Sequence, residues 1–511
     1  MYRKLYVSVC VTWAIAMAQV TLFSSCEKEV LEDSSTECPS HSVLPRLMSM
    51  DFCAGDNPMQ IVEDTRCEIT GDSIVECWIR NLVSDKHLIA RFCIEGSKVT
   101  IDGNSAVSGQ TVCDYGKPVR LTVMSQGKSK TYKVYVHSFT GLPVVWVETD
   151  GRVGVTSKEE YRHADFRLVE DTGEGVKEET VSIRGRGNTT WDMPKKSYSL
   201  KFPENVSLLG EHSGKSWVLL ANYADKTMLR QKTAFAMGQM SLLDYTPRSR
   251  FVELMLNGSY DGTYLLCEKV TTGCHRVAVG DDGFLLEIDA RAGDGNVTIM
   301  TPHLEQPICI KKPEGIAMGD ADYNYIHDYM LRTEEALFSD EFTDKTRGWQ
   351  AYMDMDSFAD WYLINEIARN TDACLYTSCF MHLARGGKLK MGPLWDFDIA
   401  FGNADYADAF QVEGFRIREA TWFDRLFQDP AFVRRARERF DYFYSHKTDI
   451  FNEINQYAHY LRYAVEENDS RWHTLYTYTW PNYNVWGSYK NEVQYMKEWL
   501  NARFEWLKHE L

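Results

Sequence analysis

The sequence predicts a multidomain protein in which an all-β domain precedes a larger α+β domain, and three observations support this fold class. At 511 residues the chain is too long for one small core, so we expect two or three domains. Short alternating apolar runs fill residues 43–140, whereas the strands after residue 144 give way to segments with helical periodicity. Hydrophobic residues make up 44% of the chain, which indicates large cores rather than extensive disorder.

The first 25 residues have the pattern of a lipoprotein signal peptide. Arg3 and Lys4 precede an apolar run over residues 5–23, and two serines then precede Cys26. We expect cleavage before Cys26, lipidation of this cysteine and attachment to a membrane through the lipid alone. The rival interpretation is an uncleaved anchor helix, for which the run is barely long enough.

Residues 26–42 are polar and serine-rich and have no hydrophobic period, so we expect a tether. Within this segment, Glu27, Lys28 and Glu29 resemble an export signal of surface lipoproteins in some Gram-negative bacteria. The sequence therefore predicts a lipid-anchored protein of the outer membrane that is exposed at the cell surface.

Residues 43–140 predict an antiparallel β-sandwich of about seven short strands, which is typical of immunoglobulin-like domains. Runs such as L-I-A-R-F-C-I and T-Y-K-V-Y-V-H alternate in polarity and are separated by turn formers such as D-G-N. We expect a spacer, with glycan or protein binding as the alternative. Six cysteines allow up to three disulfides in an oxidising compartment, or several buried free thiols. These cysteines are Cys38, Cys53, Cys67, Cys77, Cys93 and Cys113.

The next domain, residues 144–511, begins with strands, and its turn R-G-R-G-N is a candidate phosphate-binding loop. Gly185 and Gly187 permit a tight turn, and Arg184 and Arg186 add positive charge. Backbone N–H groups in such a turn can surround a phosphate. The alternative is an ordinary hairpin.

The strand after this turn offers two lysines that could pair with a phosphate. Tyr198, Leu200 and Phe202 alternate with polar residues, so one face of the strand presents Lys201. Lys196, at the start of the strand, competes for the role. We favour Lys201, and the alternative is that both are solvated lysines at a sheet edge.

Apolar spacing predicts the elements that follow. Residues 227–242 have helical spacing, and residues 251–256 and 262–270 form a hairpin around N-G-S-Y-D-G. A further helix is expected over residues 355–367, and an amphipathic helix ends the chain. The strand at residues 283–289 ends in two acids, which we interpret as a capped strand end rather than a ligand site.

Three acidic residues near the C-terminal third are the strongest candidates for chemistry. Asp372 lies in N-T-D-A-C-L-Y-T-S, and Asp396 and Asp398 lie in G-P-L-W-D-F-D-I-A-F-G-N. Carboxylates about two dozen residues apart suit a site where one orients an attacking group and others hold Mg²⁺ against phosphate oxygens. The alternative is a turn with an N-cap.

Six segments in a fixed order resemble the CotH family of spore-coat-type atypical protein kinases. The resemblance runs from about residue 144 to beyond residue 403. The segments are S-I-R-G-R-G-N-T-T-W (182–191), K-K-S-Y-S-L-K-F (195–202), L-A-N-Y-A-D-K-T-M-L-R (220–230), F-V-E-L-M-L-N-G-S-Y-D-G-T-Y-L-L-C-E-K-V (251–270), D-W-Y-L-I-N-E-I (360–367) and the W-D-F-D run.

This resemblance implies a two-lobed, protein-kinase-like domain that binds ATP with Mg²⁺ or Mn²⁺ and phosphorylates Ser or Thr of exported or surface proteins. Asp372 would then accept or orient the substrate hydroxyl, and Asp396 or Asp398 would coordinate Mg²⁺. The second strand of the hairpin would contact adenine through backbone groups, with Glu268 and Val270 as candidates.

Two departures from the family pattern admit a non-catalytic protein. The helix over residues 227–242 lacks the Glu that pairs with a kinase lysine, so Asp225 or another carboxylate would have to substitute. Thr377 and Ser378 stand where many relatives have a metal-binding Asn. The second hypothesis is a surface lipoprotein whose kinase-like domain binds a nucleotide, protein or glycan without catalysis.

Other functions lack their sequence features. A net charge of −17 argues against nucleic acid as the main partner. H-E-x-x-H, G-x-S-x-G, Walker and paired C-x-x-C motifs do not occur in the sequence, which disfavours metalloproteases, esterases, P-loop NTPases and zinc sites. A glycosidase using Glu287 with Asp372 stays open on residues alone. No oligomeric state is predicted.

Overall fold

The structure, a computed structural model, describes residues 44–58, 60–61, 64–80, 86–170, 177–293 and 295–511. A β-rich N-terminal region precedes an α+β region, as the sequence predicts. The predicted signal peptide, Cys26 and the tether lie outside the described residues. Among the helices that are described, none has both the length and the apolar character needed to cross a membrane.

The N-terminal region contains two β-sheets that enclose one apolar core. Its strands are β1 Arg46–Phe52, β2 Thr65–Arg66, β3 Glu68–Thr70, β4 Ile74–Arg80, β5 His87–Glu95, β6 Lys98–Ile101, β7 Asn104–Ala106, β8 Val112–Asp114, β9 Val119–Ser125 and β10 Lys128–Phe139. The sheets have the orders β2-β1-β5-β8 and β3-β4-β10-β9-β6-β7. Alternate residues point inward, so Met50, Leu121 and Val134 are fully buried.

The prediction of a wholly antiparallel arrangement of about seven strands is wrong in two respects. The described part of the region has ten strands, and several are only two or three residues long, too short to show alternation. Strands β4 and β10 pair in parallel, with Val136 opposite Cys77. Alternating polarity predicts which residues lie on each face of a strand, but not the direction of the neighbouring strand. A parallel pair therefore cannot be predicted from it.

The ten cysteines that the structure describes are free thiols. Five of the six candidates for disulfides are among them, and the sixth, Cys38, lies outside the described residues. Cys67 and Cys77 pack in the core of the N-terminal region, where burial raises the pKa of the Cys67 thiol. For the described cysteines, the structure therefore has free thiols and not disulfides.

The second region begins with a closed seven-stranded barrel. Its strands are β11 Val144–Thr149, β12 Arg162–Val169, β13 Lys177–Arg186, β14 Ser197–Val206, β15 Gly214–Leu220, β16 Ser249–Leu256 and β17 Ser259–Glu268. Their order around the barrel is β11-β12-β13-β14-β15-β17-β16. Parallel pairing of β11 with β16, where Val145 lies opposite Leu254, closes the barrel. Buried side chains including Phe166, Leu200 and Trp217 fill it.

A five-stranded sheet and most of the helices follow. The strands are β18 Phe284–Ile288, β19 Thr298–Ile299, β20 Ile308–Lys312, β21 Cys379–Leu383 and β22 Lys390–Met391, in the order β19-β20-β18-β21-β22. The helices are α1 Thr189–Asp192, α2 Arg230–Gln239, α3 Ala321–Phe338, α4 Met355–Ala368, α5 Thr421–Leu426, α6 Pro430–Ser445, α7 Lys447–Tyr460, α8 Arg462–Trp472 and α9 Tyr489–Glu510. Short 3-10 turns occupy Asp150–Arg152, Trp349–Ala351, Thr371–Ala373 and Ile417–Glu419.

Helix α4 lies at the centre of this region and leads the chain into the candidate site. The Asp354 side chain caps its first turn by accepting from the Ser357 N–H at 2.9 Å. Nearly all of its side chains are buried, and Arg369 ends it in a left-handed conformation with φ 46°. This end directs the chain into the turn that carries Asp372.

Helix α2 is shorter than the predicted helix over residues 227–242. The Asp225 carboxylate accepts from the N–H groups of Thr227 and Arg230, and Met228 has φ 59°. A left-handed residue cannot belong to a right-handed helix, so α2 begins after it. The turn at residues 225–229 therefore replaces the expected first helical turn.

Two polar contacts, one partly buried and one buried, join the N-terminal region to the barrel. Arg167 Nη1 donates to Glu76 Oε2 at 2.9 Å, and Thr140 Oγ1 donates to Glu253 Oε1 at 2.8 Å. Burial raises the pKa of Glu253 to about 8, the neighbouring Glu467 adds to the rise, and the Thr140 hydrogen bond opposes it. Glu253 is therefore held as a neutral acid at the junction at neutral pH.

We expect Glu253→Gln to stabilise the protein at pH 8 by about 1–3 kcal/mol and to leave its stability at pH 4 nearly unchanged. Unfolded Glu releases its proton near 4.5 and the folded residue near 8, so the parent loses stability as the pH rises through this window. Glutamine accepts the same Thr140 hydrogen bond without titrating. Melting temperatures of both proteins from pH 4 to pH 9 measure the difference, and parallel curves would contradict the assignment.

Candidate active-site cleft

A cleft of about 370 Å³ lies between the barrel and the five-stranded sheet. Its walls are built by the turn after β13, the segment after β17, strands β18 and β20, and the segments around residues 372 and 396. Charged side chains of both signs line it. The acidic ones are Glu287, Asp289, Asp372, Asp396 and Asp398, and the basic ones are Arg184, Arg186, Lys269, Arg291 and Lys311.

The two acids of the W-D-F-D segment point into the cleft because the residue between them is anchored in the core. Phe397 is fully buried, and its N–H donates to Gln231 Oε1 at 2.9 Å. Asp396 has φ 66°, a conformation that costs free energy for a residue with a side chain and often occurs at functional sites. Asn370 Nδ2 donates to its carbonyl at 3.1 Å, and Ser378 Oγ donates to its Oδ2 at 3.0 Å.

Acidic side chains are crowded at this end of the cleft. Protein atoms surround Asp398 although part of it stays exposed, and burial raises its pKa to about 8, with further contributions from Asp396, Asp225 and Asp372. Burial and then Asp372 raise the pKa of Asp396, while Arg186 opposes this rise. A cation in the cleft would therefore be favoured.

Asp372 reaches the same cleft from the 3-10 turn after α4. Its Oδ1 accepts a hydrogen bond from the Tyr406 hydroxyl at 2.9 Å, and its carbonyl accepts from the Thr377 N–H at 3.2 Å. The three aspartates that the sequence singles out thus line one cleft, with Asp372 half-buried in its wall.

Positive charge is also crowded in one part of the cleft. Burial lowers the pKa of Lys269 to about 8, and the neighbouring cations Arg184, Arg186 and Lys311 lower it further. Burial also lowers the pKa of Arg186, which lies over the Trp395 ring at 5.3 Å. An anion at this side would relieve the mutual repulsion of these cations.

The acidic residues suit a hard divalent cation. No three His, Cys, Asp or Glu side chains of the described residues are already grouped as a metal site. Mg²⁺ does not require such a group, because proteins usually hold it by one or two carboxylates together with phosphate oxygens and water. The carboxylates of Asp396 and Asp398, whose pKa values burial and neighbouring acids raise, supply that number of hard oxygen ligands.

The two glycines of the R-G-R-G-N turn have different environments. Gly187 lines the cleft with φ 102°, and a Cβ there would lie 2.1 Å from Thr190 Oγ1. Gly185 is not in the cleft lining: a Cβ at this position would lie 2.0 Å from the Trp191 ring. Gly185 therefore permits close packing, which corrects its prediction as a phosphate contact.

Lys196 and Lys201 lie outside the cleft, contrary to the prediction. Ser199 and Lys201 share one face of β14, as alternation predicts, but only Ser199 reaches the cleft and Lys201 is exposed two residues farther along. Lys196 Nζ donates to the Trp191 carbonyl and lies over the Trp191 ring. Alternation predicts the face of the strand on which a side chain lies, but not how far along the strand the cleft extends.

The side chain of Glu268 has a structural role, and the predicted contact of this segment with adenine through backbone groups stays a prediction. Its carboxylate is fully buried and accepts from Arg276 Nη1 at 2.7 Å, the Tyr245 hydroxyl at 2.8 Å and the Arg248 N–H at 3.0 Å. The next two residues, Lys269 and Val270, line the cleft. The segment therefore borders the cleft, whereas Glu268 itself is not in the cleft lining.

Sequence reasoning missed Lys269, Arg291 and Lys311 as cleft residues, although Lys269 directly follows a residue that it proposed. It also did not single out Lys195 as a buried lysine. The Nζ of this residue donates to Asn468 Oδ1 at 2.8 Å and to two backbone carbonyls. Burial lowers the pKa of Lys195 to about 7. The sequence feature that could have identified the missed lysines is their position within two residues of an apolar strand.

The expected substitute for the helix Glu is also engaged elsewhere. Asp225 Oδ1 accepts from Arg230 Nη1 at 2.5 Å, and both side chains are buried. This pair fixes the turn before α2 and does not involve a lysine of β14.

The fold is that of an α+β protein, and its cleft carries both acidic and basic side chains, a combination suited to a metal-bound anion. A family model described as CotH kinase protein matches residues 183–507, well over half of the chain. The chain therefore belongs to the CotH kinase protein family, which confirms the resemblance seen in its six segments.

Two further comparisons add little. The search of curated proteins gave no match. Among solved structures, the crystal structure of a candidate glycoside hydrolase from Bacteroides thetaiotaomicron is 18% identical over 32% of this chain and 48% of that chain, about half its length. Its TM-score of 0.17 is too low to support an argument about fold or function.

Proposed function

We propose that this protein is an atypical protein kinase that transfers the γ-phosphoryl group of ATP to Ser or Thr hydroxyls of an exported or surface protein. In this proposal the barrel and the helical part form the two lobes of a divergent kinase-like domain. The observation that carries it is the presence of an acidic and a basic cluster in one cleft, where the pKa of Asp398 is raised and the pKa of Lys269 is lowered.

A metal-bound polyphosphate complements both clusters at once. Its phosphate oxygens would be attracted to Arg184, Arg186 and Lys269, whose positive charges repel one another. Its metal would be attracted to Asp396 and Asp398, whose pKa values are raised by burial and by neighbouring carboxylates. A free anion or a free cation would complement only one side of the cleft.

In the proposed reaction Asp372 accepts the proton of the substrate hydroxyl, or orients this hydroxyl, as its oxygen bonds to the γ-phosphorus. The bond from the γ-phosphorus to the bridging oxygen breaks, and ADP leaves with that oxygen. Arg186 and Lys269 hold the phosphates in line. Mg²⁺ or Mn²⁺, when bound by Asp396 and Asp398, would neutralise charge on the phosphate oxygens.

Lys269→Met is expected to weaken Mg·ATP binding about tenfold, because it removes a charged hydrogen-bond donor from the basic side of the cleft. Lys201→Met is the matched control and should change the dissociation constant less than about twofold, since Lys201 is exposed outside the cleft. Isothermal titration calorimetry measures both. A larger loss in Lys201→Met would restore the original assignment of the phosphate-binding lysine.

Labelled ATP with Mg²⁺ or Mn²⁺ tests the proposed activity in the protein without its signal peptide. We expect label to be transferred to Ser or Thr in the parent and in Asp340→Ala, an exposed control, but not in Asp372→Ala. Equal labelling of all three would remove Asp372 from the mechanism. No label in the parent with any metal would contradict the kinase proposal.

A binding protein without catalysis is the second candidate, and one observation favours it. The residues where relatives carry a metal-binding Asn are already engaged: Thr377 Oγ1 donates to Asp289 Oδ1 at 2.9 Å and Ser378 Oγ donates to Asp396. Each hydroxyl donates its proton in this contact and keeps its oxygen lone pairs, but a hydroxyl is a weaker metal ligand than the Asn that it replaces. Nucleotide binding without transfer would identify this case.

For the cellular location we propose a lipid anchor at Cys26, attachment to the outer membrane of a Gram-negative bacterium and exposure at the cell surface. The N-terminal region, which we propose to be an immunoglobulin-like spacer, would hold the catalytic region away from the membrane. Protease treatment of intact cells tests this location. Full protection of the protein would contradict surface exposure, and release of a Cys26→Ala variant from membranes would support the anchor.

A further inference from the structure

Tyr406 holds the carboxylate of Asp372, although it lies 34 residues farther along the chain. Its hydroxyl donates to Asp372 Oδ1 at 2.9 Å. In the described part of the chain no other side chain donates a hydrogen bond to this carboxylate. Because Oδ1 already accepts this hydrogen bond, Oδ2 is the less engaged oxygen for a substrate hydroxyl.

The ring of Tyr406 is itself fixed by the tryptophan-rich segment before the last helix. It stacks on Trp480, with ring centroids 6.2 Å apart and an angle of 18° between the rings. Backbone hydrogen bonds tie the two segments together beside this stack. They run from the Asp405 N–H to the Pro481 carbonyl at 2.9 Å and from the Tyr483 N–H to the Asn403 carbonyl at 2.6 Å.

In this arrangement the phenol of Tyr406 is a hydrogen-bond donor whose protonation does not change with pH. Burial, followed by the adjacent Asp372, raises the pKa of the Tyr406 phenol well above its usual value. The phenol therefore keeps its proton throughout the range in which a kinase works. Trp480 and Pro481 also line the cleft, so the same segment borders the substrate space.

We propose that Tyr406, backed by Trp480, is a positioning residue that fixes the orientation of the Asp372 carboxylate for the acceptor hydroxyl. This inference rests on the proposed function and adds to it a role for the C-terminal aromatic segment. Tyr406 acts through Asp372 and is not itself a member of the cleft lining.

The test compares Tyr406→Phe with Tyr478→Phe. Both changes remove one phenol that donates to an aspartate, but Tyr478 is exposed and donates to Asp405 at 2.8 Å, away from Asp372. We expect kcat to fall about tenfold in Tyr406→Phe, with KM for ATP and the melting temperature nearly unchanged. Tyr478→Phe should match the parent. An unchanged kcat in Tyr406→Phe, or equal losses in both variants, would overturn the inference.

Crystal structures of the two variants give a readout that does not depend on activity. We expect the Asp372 carboxylate to occupy more than one orientation in Tyr406→Phe and a single orientation in Tyr478→Phe. One unchanged orientation in both would overturn the positioning role even if the parent transfers phosphate. An inactive parent whose Asp372 is disordered in Tyr406→Phe would instead contradict the proposed function and leave the positioning contact supported.

Discussion

Asp398→Asn is expected to abolish phosphoryl transfer, lowering the rate by about 10²-fold or more, and at the same time to stabilise the metal-free protein at pH 8. Asparagine keeps the shape of the side chain and removes the charge proposed to hold the metal. It also removes the cost of ionising a carboxyl that burial and its acidic neighbours keep protonated up to about pH 8. Activity and stability should therefore change in opposite directions.

The sign of the stability change follows from proton linkage. The folded state holds the Asp398 proton until about pH 8, and the unfolded state releases it near 3.8, so rising pH destabilises the parent within this window. The difference in melting temperature between variant and parent should thus grow from pH 5 to pH 8. Added Mg²⁺ should stabilise the parent and not the variant.

Asp244→Asn is a control of opposite character. Hydrogen bonds from His382 and Lys390 lower the pKa of Asp244 to about 2, and the residue lies outside the cleft. Its replacement should leave transfer intact and slightly lower stability at pH 7. Transfer measured with labelled ATP, beside thermal melts with and without Mg²⁺, separates the cases. An active Asp398→Asn protein would remove this residue from the metal site.

Arg503→Met is expected to destabilise the C-terminal region by about 3–5 kcal/mol. The guanidinium on α9 is fully buried, and its Nη2 donates to Glu366 Oε1 on α4 at 2.7 Å. It also donates to the carbonyls of Glu366, Val412 and Gly414. Removing it leaves a buried carboxylate and three carbonyls without this partner.

The matched control is Arg435→Met on α6, which removes a partly exposed ion pair with Asp356. This change should cost less than about 1 kcal/mol. Urea unfolding followed by tryptophan fluorescence measures both variants, and the midpoint should fall clearly only in Arg503→Met. Similar midpoints for the two variants would show that the α4–α9 contact is not central to the stability of the region.

The sequence predicts those features that depend on local pattern. Continuous apolar spacing predicts α4 over residues 355–367, and the structure has Met355–Ala368. The three aspartates were singled out because acids beside buried apolar residues are unusual, and all three line one cleft. Family resemblance then supplied the chemistry that local pattern alone left open.

Features that depend on contacts between distant segments were not predictable in this way. Barrel closure depends on pairing of β11 with β16 across about 100 residues, and no local pattern encodes it. Lys201 shares a face of β14 with Ser199 but lies beyond the cleft. Glu268 and Lys269 are neighbours in the chain, yet only Lys269 lines the cleft, because successive side chains of an extended segment point to opposite sides. Tyr406 could not be linked to Asp372, because a hydrogen bond between segments leaves no periodic signal.

A crystal structure of the protein with Mg²⁺ and a non-hydrolysable ATP analogue tests the central claim most directly. The account predicts phosphates in contact with Arg186 and Lys269, and Mg²⁺ between these phosphates and the carboxylates of Asp396 and Asp398. It also predicts the γ-phosphate on the side of Asp372. A nucleotide bound outside this cleft, or phosphates that contact neither Lys269 nor Arg186, would contradict it.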